Sequence, residues 1–204
     1  MNGSMEAADW VARWQRVARR VRVPLGFVTA SLYVFELWRR APRPEAVAWS
    51  LALVLPGLWL RAYASGYVRK NQELTTTGPY AYTRNPLYLG SVLMAAGFAL
   101  ALMSWAVGVV LAVGFLAIYV PVILSEERFL RDTFSNFDDY CRSVPRFFPR
   151  LGPARVAGSG QDGHFSLALY LRHREYNALL GVSLLYLCLV FLRPAISLIF
   201  HGRP

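Results

Sequence analysis

Five hydrophobic segments, separated by short polar stretches, organise the chain. The first runs from Val23 to Trp38, with Glu36 near its end. The second, Ala46 to Ala64, is expected to be interrupted at Pro56-Gly57. The third and fourth form one almost uncharged stretch from Pro86 to Ser125, about 40 residues long. As a single helix that stretch would be roughly 60 Å long, twice a hydrocarbon core of about 30 Å. It must fold back on itself, and Met103-Ser104-Trp105 marks the place for a tight turn. The fifth segment, Ala178 to Phe200, carries Arg193 and Pro194 near its far end. The pattern predicts an all-α, polytopic integral membrane bundle of about five transmembrane helices, including a helical hairpin.

Upstream of the first segment, Trp10, Val11, Trp14, Val17, Ala18 and Val21 recur at helical spacing opposite Arg13, Arg16, Arg19 and Arg20. Residues 1–22 are expected to form an amphipathic interfacial helix; the other reading makes them the first turns of the first span with anchoring charges. They do not resemble a cleavable signal peptide. The predicted divisions are then a membrane core over 23–150, a Gly-rich polar linker over 151–164, and a C-terminal segment with an extra span over 165–204.

Composition agrees with this picture. Hydrophobic residues make up 55% of the 204, charged residues 17%, mean hydropathy is +0.33, and the net charge is still +10. So much apolar material excludes a disordered chain. Two cysteines in unrelated contexts, Cys141 and Cys188, exclude a disulfide scaffold. A nucleic-acid module would explain the charge but not the apolar excess, so no nucleic-acid partner is expected. Arginines before the first span and between Arg128 and Arg174 place both clusters on the cytoplasmic side under the positive-inside rule, although Arg39, Arg40 and Arg43 then fall opposite. A single lysine among 22 basic residues hints at a GC-rich bacterial genome, hence a bacterial inner membrane.

Chemical texture gathers in two polar islands, predicted to share one membrane face. The first spans Asn71 to Gly90. Gly78-Pro79 marks a turn, and Asn85-Pro86 a helix start with Asn as the cap and Pro at the first position. A helix start at the membrane face presents free N–H groups to an anion such as a carboxylate. Tyr80, Tyr82 and Tyr88 either stack on a flat ring or belong to an interfacial aromatic belt. The second island opens with Ser125-Glu126-Glu127 directly after the fourth span, and Leu130, Phe134 and Phe137 extend it at helical spacing. The two glutamates either serve a site or mark the water boundary, partnered by Arg131 one turn on. No GxGxxG or GxxxxGK[ST] is present, and no GxSxG elbow. His164, His173 and His201 lack the ligand pairs of a zinc centre, so no metal is expected. Cys141 reads as an ordinary thiol beside Tyr140 and Arg142.

Together and in this order, the islands resemble the isoprenylcysteine carboxyl methyltransferase superfamily of integral membrane enzymes, which includes the phospholipid N-methyltransferases. The segment from Gly78 to Gly90 is similar to its GPYxxxRHPxYxG motif. Glu126-Glu127, Leu130, Phe134, Tyr140 and Val144-Pro145 match its second hallmark, and the likeness covers roughly residues 50 to 150. The resemblance implies S-adenosylmethionine bound at the cytosolic face without a Rossmann domain. By position, Gln72, Glu73, Leu74, Thr75 and Tyr80 would line the cofactor pocket. Asn85, Pro86, Leu87 and Tyr88 would cradle it, and Glu126 would hold its amino or ribose groups. Glu127 would receive a proton from an amine acceptor, with Arg84 and Arg131 as further candidates for the chemical step.

Two positions depart from the family pattern. Asn85 stands where the motif has His, which preserves hydrogen bonding but removes any titrating role. Val122 stands where the isoprenylcysteine enzymes carry a substrate-engaging Arg. The expected partners are membrane lipids and a lipophilic or lipidated acceptor, methylated on a carboxylate, thiol or amine. The competing readings are a sterol-type NADPH reductase and a catalytically degenerate membrane scaffold.

Overall fold

Apolar stretches without polar alternation favour helices, in which every backbone group is bonded within the segment. The computed structural model describes residues 28–39, 42–69, 73–155 and 163–192, and no strand occurs among them. Helix α1 covers residues 28–39. It is followed by α2 (Pro44–Ser65), a 3-10 turn (Gly78–Ala81), α3 (Pro86–Leu102), α4 (Trp105–Thr133) and α5 (Phe137–Ser143). Two shorter helices follow, α6 (Leu167–Arg172) and α7 (Tyr176–Leu187), and a π-helical turn over Cys188–Leu192. The expected interfacial helix over 1–22 lies outside the described residues, as do 23–27 of the first segment, 156–162 of the linker and everything beyond 192.

The folded-back hairpin sits where the length argument puts it. α3 ends at Leu102, Met103 takes the left-handed conformation with φ 49°, and Ser104 caps α4 by accepting from Val107 N at 3.4 Å. Pro56 does not interrupt α2, contrary to expectation. Its neighbour Gly57 serves the packing of α2 against α3 instead. A Cβ on Gly57 would stand 2.7 Å from the Gly90 carbonyl oxygen, and one on Gly90 would stand 2.6 Å from that of Gly57. The two antiparallel backbones therefore touch through glycines, the small-residue solution for helices that cannot rely on hydrophobic exclusion from water. Below this contact Val54, Phe98, Ala101, Leu102 and Val107 form the core with Tyr33, Leu37 and Leu189. Helix α7 is joined to it by Tyr186 Oη, 2.7 Å from Ser50 Oγ.

Two described helices, α2 and α4, are long and apolar enough to cross a membrane, fewer than the five expected. α3 has 17 residues and the run Tyr176–Phe191 is also shorter than a span requires. Among the described residues α3 is apolar but short, and the first and fifth expected segments extend beyond the residues described. Trp59, Leu116 and Leu184 stand out from the bundle, each more than half exposed. Outward apolar faces on apolar helices mark a membrane-associated chain. At about 1.5 Å per residue α4 extends roughly 43 Å, so it outruns a hydrocarbon core and carries its last turns into the polar region.

Overpacking the glycine contact should separate α2 from α3. Gly90→Val is expected to cost on the order of 1–3 kcal/mol or more, read as a fall in thermal midpoint in detergent. Gly181→Val on α7, where a side chain meets nothing within 4 Å, should leave the midpoint in place.

Candidate functional site at the polar end of the helical hairpin

The start of α3 and the end of α4 lie at one end of the hairpin, and the two polar islands meet there. Arg84 N donates to Pro145 O at 3.0 Å, Arg150 N to Tyr82 O at 3.0 Å and Ala154 N to Ala81 O at 2.9 Å. Side chains continue the junction: Thr83 Oγ1 donates to Phe147 O at 3.0 Å, and Tyr140 Oη to Tyr80 O at 2.8 Å. The Gly78-Pro79 turn is as expected, with Gly78 at φ 58°. A Cβ there would also press on the Tyr67 ring, 2.5 Å away.

Asn85 occupies the N-cap position of α3 but its side chain makes no cap bond. Its amide Nδ2 donates instead to Arg146 O at 2.9 Å, which is a correction to the expected cap. Leu87 and Tyr88, in the first turn, have no acceptor within the helix for their N–H groups, by the geometry of any α-helix start. The Asn85 side chain therefore does not close that turn.

Glu126 and Glu127 are separated by the helix itself, since consecutive residues lie about 100° apart around the axis. Glu126 is exposed and accepts from Tyr88 Oη at 3.0 Å. Glu127 is 6% exposed and faces inward. Arg146 Nε reaches its Oε1 at 3.0 Å and Nη2 its Oε2 at 2.7 Å, while Arg84 Nη1 lies 3.2 Å from Oε1. Both carboxylate oxygens are held by guanidinium donors, an arrangement suited to joining the islands. Arg84 also donates to Cys141 Sγ, and its buried Nε has no partner. Burial raises the Cys141 thiol pKa against the opposing pull of Arg84.

The remaining predicted residues divide clearly. Arg131 does not join the group: its Nε bonds Asp138 Oδ1 at 2.9 Å and both side chains are at least half exposed. It is thus not the partner of the glutamates. Gln72 lies outside the described residues, Glu73 is exposed with Arg69 3.6 Å away, and Leu74 packs against Phe137, Tyr140 and Val144. Thr75 turns inward, its Oγ1 buried without a partner. Tyr80 is buried, and loss of solvent pushes its phenol far above the ordinary range, reinforced by the charges of Tyr140, Glu126 and Glu175. Tyr82 is exposed, away from this group.

Helix α4 stops one turn earlier than the apolar spacing implies. Phe134 is extended at its C-terminal cap, and α5 begins at Phe137. Leu130 and Phe134 still pack on Phe137, Tyr140 and Val144, as one cluster rather than one stripe.

Some residues of this end escaped the sequence reading. Arg146 reads as one basic residue among many in the exit from the second island. Phe115 and Tyr119 extend the α4 face inward from Glu126: Tyr88 and Tyr119 lie edge to face at 5.2 Å, and Tyr119 stacks on Phe115 at 4.8 Å. Their spacing, four residues from one another and seven and eleven from Glu126, was the available signal.

Removing one partner of a buried ion pair leaves the others uncompensated. Glu127→Ala is expected to lower stability by about 3–5 kcal/mol, seen as a lowered thermal midpoint, whereas Arg131→Ala should leave the midpoint unchanged.

Comparison with known proteins places this geometry. The model of the phospholipid methyltransferase family matches residues 48–136, from within α2 to the residue before α5. The Cobalt-zinc-cadmium resistance protein CzcN of Cupriavidus metallidurans is 46% identical over 94 residues, 46% of this chain and 43% of that protein. The Nickel-cobalt-cadmium resistance protein NccN of Alcaligenes xylosoxydans xylosoxydans is 35% identical over 147 residues, 72% of this chain and 63% of that protein. The matched part of the chain thus spans less than two thirds of each of these relatives' lengths. No solved structure matches. Through residues 48–136 the chain carries a phospholipid methyltransferase-family domain, which belongs to the integral membrane methyltransferase superfamily.

Proposed function

We propose that this protein transfers a methyl group from S-adenosylmethionine to a lipophilic acceptor at the membrane. The observation that carries the reading is the pairing of exposed Glu126 with Tyr88 beside an α3 first turn that its own cap residue leaves open. The residues present fit the cofactor. The N–H groups of the α3 start suit its carboxylate, Glu126 suits its ammonium or ribose hydroxyls, and the tyrosines suit its adenine. The unpartnered Thr75 Oγ1 adds a hydroxyl in want of a bond.

The cofactor supplies an activated methyl group on a sulfonium, transferred by in-line displacement. The chain's part is to position both reactants and exclude water. Tyr88 donates to Glu126 and holds that carboxylate at the mouth of the hairpin. Phe115 and Tyr119 line the approach from the apolar side, where a lipid-like body gains contact with aromatic faces. A thiolate or carboxylate acceptor has no proton to lose. An amine acceptor would release its proton to water beside Glu126, because Arg84 and Arg146 already hold both oxygens of Glu127.

The names of the two relatives supply a setting, tolerance of divalent metals. Among the described residues no three of His, Cys, Asp or Glu gather where they could hold an ion. On the methyltransferase reading, a contribution to metal resistance would pass through a methylated membrane acceptor.

Purified protein in nanodiscs should bind labelled S-adenosylmethionine in preference to NADPH. Tyr88→Ala and Glu126→Ala should each weaken that binding by about tenfold, the loss of one charge-assisted bond of roughly 1.5 kcal/mol. Unchanged affinity in both variants removes the assignment, and displacement by NADPH turns the reading toward a reductase.

A further inference from the structure

A lone arginine in an apolar helix is costly unless it is paired. Arg61, on α2, is paired with great care. Its Nε and Nη2 reach Glu175 Oε2 at 3.1 and 2.9 Å, and Nη2 reaches Oε1 at 2.8 Å, a fork-to-fork pair with both side chains largely buried. The remaining nitrogen, Nη1, donates to Leu87 O at 3.3 Å and to Ser91 Oγ. Leu87 and Ser91 flank Tyr88 on the first turns of α3. Gly90 leaves the room this requires, since a Cβ there would fall 2.7 Å from Arg61 Cγ.

Glu175 comes from well beyond residues 48–136. It sits in the turn between α6 and α7, where Arg174 takes the left-handed conformation at φ 54°, unfavourable for a side chain with a Cβ. The surrounding segment is fastened to the polar end of α2. Ser166 N donates to Gly66 O at 2.9 Å, His173 Nδ1 lies 3.0 Å from Ser65 O, and Phe165 stacks on Tyr63 at 6.0 Å. A strained backbone held by several separate contacts is one whose side-chain placement matters.

We propose that Glu175 and Arg61 are positioning residues of the methyl-transfer site: Glu175 fixes the guanidinium plane, and Arg61 fixes the α3 first turn that carries Tyr88. The inference rests on the S-adenosylmethionine reading and extends it to a segment outside the family-matched domain. Arg and Lys are not interchangeable in such a fork, because only the planar group satisfies Glu175 and the Leu87 carbonyl at once.

The test uses the full chain in nanodiscs with two readouts, hydrogen–deuterium exchange and S-adenosylmethionine affinity. Glu175→Gln and Arg61→Lys should raise exchange in the peptide covering residues 87–91 and weaken cofactor binding by about tenfold to a hundredfold, the range for a misplaced contact. The exchange of α5 should stay unchanged. The double reversal Arg61→Glu with Glu175→Arg should restore the ion pair but neither readout, because a carboxylate at 61 cannot donate to the Leu87 carbonyl. Unchanged exchange at 87–91 overturns the clamp itself. Raised exchange with wild-type affinity, or loosening spread equally over α5, reduces the pair to a general brace and overturns the proposal. Absence of cofactor binding by the wild type overturns the methyltransferase reading beneath it, while the exchange data still judge the clamp.

Discussion

A carboxylate buried at the end of an apolar helix cannot stand alone, and the arrangement of the polar end follows from that requirement. Glu127 is buried near the end of α4, a helix long and apolar enough to cross a membrane. Its charge must be met by donors, and Arg84 and Arg146 meet it from two different stretches of chain. Arg84 immediately precedes α3; Arg146 follows α5. Satisfying one carboxylate therefore fixes where α3 begins relative to where α4 ends. The backbone bonds from 81–84 to 145–154 then close around the ion cluster. A hairpin held only by apolar contact and a tight turn at Met103 could slide or splay at its open end. The ion cluster denies it that freedom.

The neighbouring glutamate gains its character from the same geometry. With Glu127 turned inward, the helical rotation of about 100° per residue carries Glu126 to the accessible side. It meets Tyr88 there because the start of α3 has already been placed. The junction also diverts the Asn85 amide to Arg146 O and leaves the first turn of α3 uncapped. An uncapped helix start is a cost to the free protein and an opening for an anionic ligand group. The substitution of Asn for the His of the family motif is consistent with this use: the position here donates one structural bond and is asked for no proton.

The features readable in the sequence were those governed by length and local chemistry. A run of about 40 apolar residues had to turn, and Met103-Ser104 supplied the only polar break at its middle. Pro86 after Asn85 announced a helix start. What escaped depends on the phase of one helix against another. Nothing in Glu126-Glu127 says which of the two faces inward, and Arg131, one turn away, was the natural partner until Arg146 arrived from across the fold. Pro56-Gly57 reads locally as a break, yet α2 continues because the glycine is needed for contact with Gly90 rather than for a turn. Fewer candidate spans than expected occur among the described residues for a related reason: apolar composition reports burial or lipid contact, while crossing a membrane also requires length. Arg61 did carry a signal, a single charge inside an apolar segment, but its partner lies more than a hundred residues away.

These constraints together separate the routes by which two unlike reactants could reach one place. A zwitterionic cofactor cannot be delivered through hydrocarbon, because desolvating its charges is prohibitive. On the proposed reading it arrives at the polar end, where Glu126 and the α3 start would offer both signs of complementary charge. A lipophilic acceptor gains nothing from that route and would leave the bilayer at a cost proportional to its apolar area. The aromatic face of Phe115 and Tyr119 lies on the same helix as Glu126 and at lower polarity. α4 is long enough to belong to both environments at once. Its apolar portion can guide one reactant and its polar end hold the other, provided that the hairpin keeps its register. Register is what Glu127, the glycine contact of α2 with α3, and the Arg61–Glu175 pair each enforce from a different side.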